Sequence, residues 1–356
     1  MFKPTASPKK MLGAAALLAT SAFMLTACVS NAPAEPAPAS GAPAAAAAAA
    51  AAGSNAAEGK KVTIGFSVPA ADHGFMAAMT DLAVETAKEY PDVELKVAEG
   101  TNDVSVQISQ VETMINDKVD AIVLLPFDGA ALTQVAQKAM DAGIPVINVD
   151  REFSTAQSSR VTVLGDNYGV GVSAGDFICN ELDGKKDAKI GEIPGIDSLP
   201  LTQDRSRGFK DALEKCGLEV SNRVPAEFTV ESGEKAASNL LQAAPQLDAI
   251  WNHDDDQGVG VLAAIKAADR SEFFMVGNGG SANMMREIQS GDSVVKATTV
   301  YPAYQAADGV RVARLVAQDK ALGDLMDIEI PRQIVLYAAV VTKENVERYL
   351  PTAFES

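Results

Sequence analysis

From residue 62 onward, short continuous apolar runs alternate with stretches of helical period. Residues 62–68, 121–125 and 144–149 are apolar at nearly every position. That suits strands covered on both faces rather than strands with one wet side. Between them lie helix patterns: 75–90 stopped by Pro91, the stripe Val104, Ile108, Val111 and Ile115, and 130–142 stopped by Gly143. Such alternation predicts a parallel sheet with helices on both faces, an α/β fold. The pattern then restarts, with strands over 161–164, 189–193, 220–228, 249–252, 273–277 and 295–299. Helices over 205–215, 234–244 and 257–268 separate several of them. Two successive sets predict two similar doubly wound parallel-sheet lobes. Ligands of such sheets bind beyond the carboxyl ends of the strands, so the residues just after each strand matter most.

Upstream of this region, Lys9 and Lys10 precede an apolar run over 11–25 that ends in Leu25-Thr26-Ala27-Cys28. The run is too short to span a membrane and reads as a secretory signal covering residues 1–27. A cysteine directly after small residues resembles the lipobox of bacterial lipoproteins, which implies a lipid on Cys28 and an extracytoplasmic, membrane-anchored location. Residues 28–60 are mostly Ala, Pro, Gly, Ser and Asn, with an unbroken alanine run over 44–52. That composition cannot build a core and reads as a tether. As a coil, about 30 residues reach roughly 30 Å.

The formal net charge is −17, and residues 1–27 carry three lysines and no acid, so the remainder is more acidic still. Such a chain repels nucleic acid, and no nucleic-acid partner is expected. Cys179 and Cys216 could pair in an oxidising compartment or sit as two small buried hydrophobes. The only histidines, His73 and His253, lack ligand spacing, so no metal is expected. No phosphate-binding loop occurs, and no cofactor is expected.

The strand ends collect carboxylates, amides, an arginine and aromatics: His73 and Phe75, Asp150 and Arg151, Phe228, 253–256, 278–280 and Tyr301. A carboxylate can accept from two neighbouring hydroxyls while an arginine donates to a third. Aromatic faces cover the C–H surface of a sugar ring. Gly-Ile-Pro-Val-Ile-Asn-Val-Asp150-Arg151, the Asp128-Gly129-Ala130 helix opening and His-Asp-Asp-Asp-Gln-Gly-Val-Gly260 resemble the ribose/galactose-type (type I) periplasmic sugar-binding proteins of ABC importers. Arg205-Ser-Arg-Gly-Phe209 and Met275-Val-Gly-Asn-Gly-Gly280 add to the likeness. The resemblance covers residues 62–349 and implies a clamshell of two lobes joined by three hinge crossovers. These are expected near Gly165, near Tyr301 and near Pro331. The N-terminal lobe would be 62–165 plus 302–330, and the C-terminal lobe 166–301 plus 331–349.

Carried over position by position, the resemblance implies a ligand site of His73, Phe75, Asp150, Arg151, Gln203, Phe228, Asp254 and Tyr301. Phe75 and Phe228 would stack on the sugar from opposite lobes. Asp256 is expected to cap the helix that follows it, and Asp254 to reach the ligand. Gln203 stands where ribose binders carry Arg, Gly279 where many members carry Asp, and Tyr301 where an amide is common, which argues against simple ribose or galactose. Trp251, inside an apolar strand, reads as core.

Gly171-Val-Ser173-Ala-Gly175 matches the pattern of a hydrolase nucleophile elbow, but Ser173 falls within a predicted helix rather than on the sharp turn after a strand. No enzyme activity is expected. A sensor delivering its ligand state to a receptor shares the same binding physics. A transcriptional regulator of the same lobe pair would need a DNA-binding segment where this chain has a signal and tether. The reading is therefore a monomeric extracytoplasmic lipoprotein that passes a neutral sugar or polyol to an ABC importer permease, with a cationic amino sugar as second choice. The cluster of His73, Asp150, Arg151 and Asp254 carries more acid than base and should disfavour anions.

Overall fold

The computed structural model describes residues 55–323 and 329–356. The signal segment, Cys28 and the alanine run lie outside the described residues. The first sheet contains β1 (Val62–Ser67), β2 (Val93–Val97), β3 (Ala121–Leu124), β4 (Val146–Val149), β5 (Val161–Gly165) and β11 (Gln333–Leu336), in the order β11-β5-β4-β3-β1-β2. The second contains β6 (Ile190–Ile193), β7 (Val220–Arg223), β8 (Ala249–Asn252), β9 (Phe274–Gly279), β10 (Val295–Val300) and β12 (Val340–Thr342), in the order β12-β10-β9-β8-β6-β7. All pairings are parallel except β10 with the short edge strand β12. The fold is two α/β lobes.

Burial explains the apolar runs. Central strands β3, β4 and β8 are buried at every position, whereas edge strand β2 is half-buried or exposed throughout. The helices α1 (Gly74–Lys88), α2 (Val104–Asn116), α3 (Gly129–Asp141) and α9 (Gln305–Ala317) cover the first sheet. The second is covered by α4 (Asn167–Glu181), α5 (Pro200–Lys215), α6 (Val230–Ala243), α7 (Asp255–Ala267) and α8 (Ala282–Ser290). In each sheet the strand order reverses beside the first strand of the lobe, which opens a crevice at the carboxyl ends.

The chain crosses from the first lobe to the second between β5 and α4, returns between β10 and α9, and crosses again between β11 and β12. The third crossing was expected near Pro331, but Gln333–Leu336 extends the first sheet, pairing Gln333 with Thr162 and Leu336 with Gly165. Ile334 and Leu336 pack on the first core from this edge. That pairing places the segment in the N-terminal lobe.

Three details outside the crevice bear on stability. Cys179 on α4 is joined to Cys216 at the end of α5, with Cα atoms 6.1 Å apart. Ser173 lies mid-helix in α4, between Gly171 and Gly175, which face the α5 backbone and Ala212. Arg314 and Asp92, both buried, form a two-bond ion pair of 2.7 and 2.6 Å. The same guanidinium donates to the carbonyls of Asn55 and Ala57, fastening the segment that leads into β1.

Candidate ligand-binding site

The turn after β4 sets the first half of the site. Asp150 adopts a left-handed backbone (φ 63°), which aspartate tolerates better than most residues. Arg151 N then donates to Val149 O at 2.7 Å. Both side chains thereby leave the sheet for the space between the lobes, where they are under a tenth exposed. Arg151 Nη1 donates to Phe127 O at 2.7 Å, and its Nε lies 3.9 Å from Asp150 Oδ2 with no hydrogen-bond acceptor. A buried cationic donor without a partner is costly unless something else completes it.

Asp150 is held from the other lobe. Tyr301 donates its hydroxyl to Asp150 Oδ1 at 2.6 Å and accepts from Asn167 Nδ2 at 3.1 Å. Arg205 Nε donates to Asn167 Oδ1 at 2.8 Å, its Nη1 donates to His253 O at 3.0 Å, and its guanidinium lies 4.5 Å over the Tyr301 ring. Burial, then the Asp150 charge, raise the Tyr301 phenol above its usual range, so it stays a donor.

The acidic run behind β8 divides its tasks differently from expectation. Asp254 is the N-cap of α7, accepting from Gln257 N at 2.9 Å, and also lines the cavity. Burial pushes its carboxyl well above the usual range. Asp255 is fully buried and accepts from Gly280 N and Ser281 N at 2.8 Å and from Thr298 Oγ1; burial raises it to about 7. Asp256, expected to cap its own helix, instead accepts from Gly74 N and Phe75 N of the opposite lobe at 3.1 and 2.9 Å. The reason is helix phase: α7 starts at Asp255, which leaves Asp254 in the capping position.

Together these elements line a cavity between the lobes. His73, Phe75, Met76, Asp150 and Arg151 line it from the first lobe. Leu201, Arg205, Phe228, Asp254, Asn278, Gly279 and Tyr301 line it from the second. Seven of the eight residues read from the sequence are therefore brought together. Gln203 is not among them: it is exposed and donates to Asp197 O at 3.3 Å. Because α5 begins at Pro200, Leu201 and Arg205 share the inward face and position 203 points away. Phe228 has a left-handed backbone (φ 64°) and packs with Leu199 and Leu201, opposite Phe75. Gly279, at φ 137°, occupies a conformation closed to an aspartate.

His253 turns its ring into the core, 3.8 Å from the Trp251 ring, with Nε2 3.0 Å from Glu192 Oε1. Trp251 is fully buried. Sequence reasoning missed Arg205, although it lies in the quoted Arg205-Ser-Arg-Gly-Phe209 motif. Its inclusion corrects the expected acid excess: a second guanidinium lines the cavity beside Arg151, and burial disfavours the charged form of one of the two carboxyl groups, Asp254. Among the described residues no cluster of His, Cys, Asp or Glu could hold a metal ion.

A two-lobed α/β clamshell with a buried polar and aromatic cavity between the lobes defines a solute-binding protein. Residues 64–321 match the periplasmic binding protein domain, and the chain belongs to that family, whose members work outside the cytoplasm. The ribose import binding protein of Bacillus subtilis is 28% identical over 277 residues, 77% of this chain and 83% of that protein. The D-ribose/D-allose-binding protein of Pseudomonas aeruginosa is 30% identical over 71% of this chain and 82% of its own length. An ABC transporter solute-binding protein of Bacillus halodurans, solved with bound myo-inositol, superimposes with a TM-score of 0.73 at 26% identity. That match covers 83% of this chain and 99% of the other.

Proposed function

We propose that this chain captures one neutral sugar or polyol between its lobes and delivers it to an ABC importer permease, anchored by a lipid on Cys28. The observation that carries the ligand class is the lining of the cavity: a hydrogen-bonding carboxyl group, a guanidinium group and a phenylalanine from each lobe. Asp150 and Asp254 would accept from ring hydroxyls, Arg151 and Arg205 would donate to ring oxygens, and His73 would add one polar contact. Phe75 and Phe228 would cover the apolar edges, with Tyr301 holding Asp150 in place. Relatives named for ribose and allose, and the solved structure holding myo-inositol, support the polyol class. Because both lobes contribute, ligand binding favours the closed state, which a permease can recognise. A ligand of about ten heavy atoms at roughly 0.8 kcal/mol per atom gives a Kd near micromolar.

A thermal-shift screen of the full-length protein against neutral sugars, sugar alcohols, inositols, amino sugars and sugar phosphates tests the class. A ligand at 100 times its Kd stabilises by about 2.7 kcal/mol. A hit confined to neutral polyols is expected. A hit confined to amines or phosphates overturns the neutral assignment. Cys28→Ser should release the protein from the membrane fraction.

A further inference from the structure

Helix α1 brings Phe75 to the cavity, yet nothing local caps it. Its N-cap residue, His73, makes no side-chain capping bond. The first amides of a helix need acceptors, and its N-terminus favours a negative charge. Here both come from the opposite lobe, through the Asp256 carboxylate on Gly74 N and Phe75 N. Asp256 is buried, so those bonds are made in low dielectric.

A second strand of contacts reaches the same spot. Residues 354–356 are fastened to α8 of the second lobe: Ala282 N donates to Phe354 O at 2.7 Å, Asn283 Nδ2 to Ser356 O at 3.3 Å, and Arg286 pairs with Glu355. From that mooring the segment crosses to the first lobe. The Phe354 ring meets Phe75 edge-on at 5.6 Å. A Cβ added at Gly74 would lie 2.2 Å from Glu355 O and 2.8 Å from the Ser356 Cα, so the segment runs directly over the start of α1. None of Asp256, Phe354, Glu355 or Ser356 lines the cavity.

We infer that Asp256 and the strap formed by residues 354–356 are an inter-lobe latch that stabilises the closed state and positions Phe75 without touching the ligand. The inference rests on the clamshell reading only in assigning closure a role in capture. Opening the lobes separates α7 and α8 from α1, breaking the Asp256 and Phe354 contacts at once. Each latch contact therefore shifts the closed population, and with it the apparent affinity.

The test needs no ligand. Inter-lobe distances are measured by paired spin labels, one on the exposed surface of each lobe, in the full-length protein. Asp256→Ala, Phe354→Ala and deletion of 354–356 should each lower the closed fraction at least threefold. Gly74→Ala, which displaces the strap, should behave like the deletion. Phe354→Tyr, which keeps the ring, should match the wild type. Hydrogen exchange at Gly74 and Phe75 should accelerate in Asp256→Ala while β3 and β8 amides stay protected. Unchanged distance distributions in folded variants overturn the latch, as does failure of Phe354→Tyr to restore closure. Failure of every polyol to bind would sink the proposed ligand and leave this result standing.

Discussion

Tyr301, at the end of the second lobe's β10, donates its hydroxyl across 2.6 Å to Asp150, at the end of the first lobe's β4. The carboxylate at the centre of the cavity is therefore oriented by a hinge residue 151 positions away. Asp150 also holds a left-handed backbone, a conformation that persists where the surroundings impose it and that concentrates at functional sites.

Removing that carboxylate should be more damaging than loosening it. Asp150→Ala leaves the Tyr301 hydroxyl without its acceptor and buried Arg151 without its nearby counter-charge, and should weaken polyol binding by about 2 kcal/mol or more, roughly 30-fold. Tyr301→Phe removes one neutral donor and should cost about 1 kcal/mol. Calorimetric titration of the two variants checks the order; equal effects would contradict it.

Asp255 predicts a pH slope. Its carboxyl is raised to about 7 in the folded protein, so between about pH 4 and 7 the folded state holds a proton that the unfolded state has released. Stability from this group is full below about pH 4 and falls as pH rises toward 7, by at most about 1.4 kcal/mol per unit. His253, kept neutral by burial, acts in the opposite sense over part of the same range. The difference in melting temperature between wild type and Asp255→Asn isolates the first term. Relative to wild type, the variant should gain stability as pH rises from 5 to 7.5.

The Asp92–Arg314 pair should show itself in acid. Arg314's hydrogen bonds hold the Asp92 carboxyl well below the usual carboxylate range, so its contribution is complete above about pH 4 and disappears as pH falls further. Asp92→Asn leaves Arg314 buried without its counter-charge and should cost about 3 kcal/mol or more at pH 7. The gap between the two melting curves should narrow below pH 3. A gap that persists there would mean the loss is packing rather than charge.

Reduction of the Cys179–Cys216 bond should lower the melting temperature without altering ligand affinity, because the bond ties α4 to α5 away from the cavity. A separation of 37 residues corresponds to about 4 kcal/mol on the chain-entropy view. Melting with and without dithiothreitol reads it, and a change in affinity would contradict the assigned role.

The lobes were legible because their central strands are buried on both faces and leave uninterrupted apolar runs such as Ala121–Leu124. β11 was not, because it lies at an edge: Gln333–Leu336 alternates in burial and follows Pro331, which reads as a break. Asp150 and Arg151 were readable because they directly follow a buried strand. Helix phase caused the other errors. The resemblance put Gln203 in the site, but on α5, which begins at Pro200, Leu201 and Arg205 share the inward face and Gln203 points away. Starting α7 two residues late gave the cap to Asp256, whereas Asp254 both caps the helix and lines the cavity. Contacts such as Phe354 on Phe75 join distant parts of the chain through the meeting of two lobes, and no local pattern announces them.

The most direct measurement is calorimetric titration of the full-length protein, wild type beside Asp150→Ala, with neutral sugars, sugar alcohols and inositols. One or more of these ligands binding one-to-one with a Kd near micromolar, at least 30-fold weaker in the variant, is the result expected. Folded wild-type protein that binds none of them, or a variant that binds as well as wild type, would contradict the account.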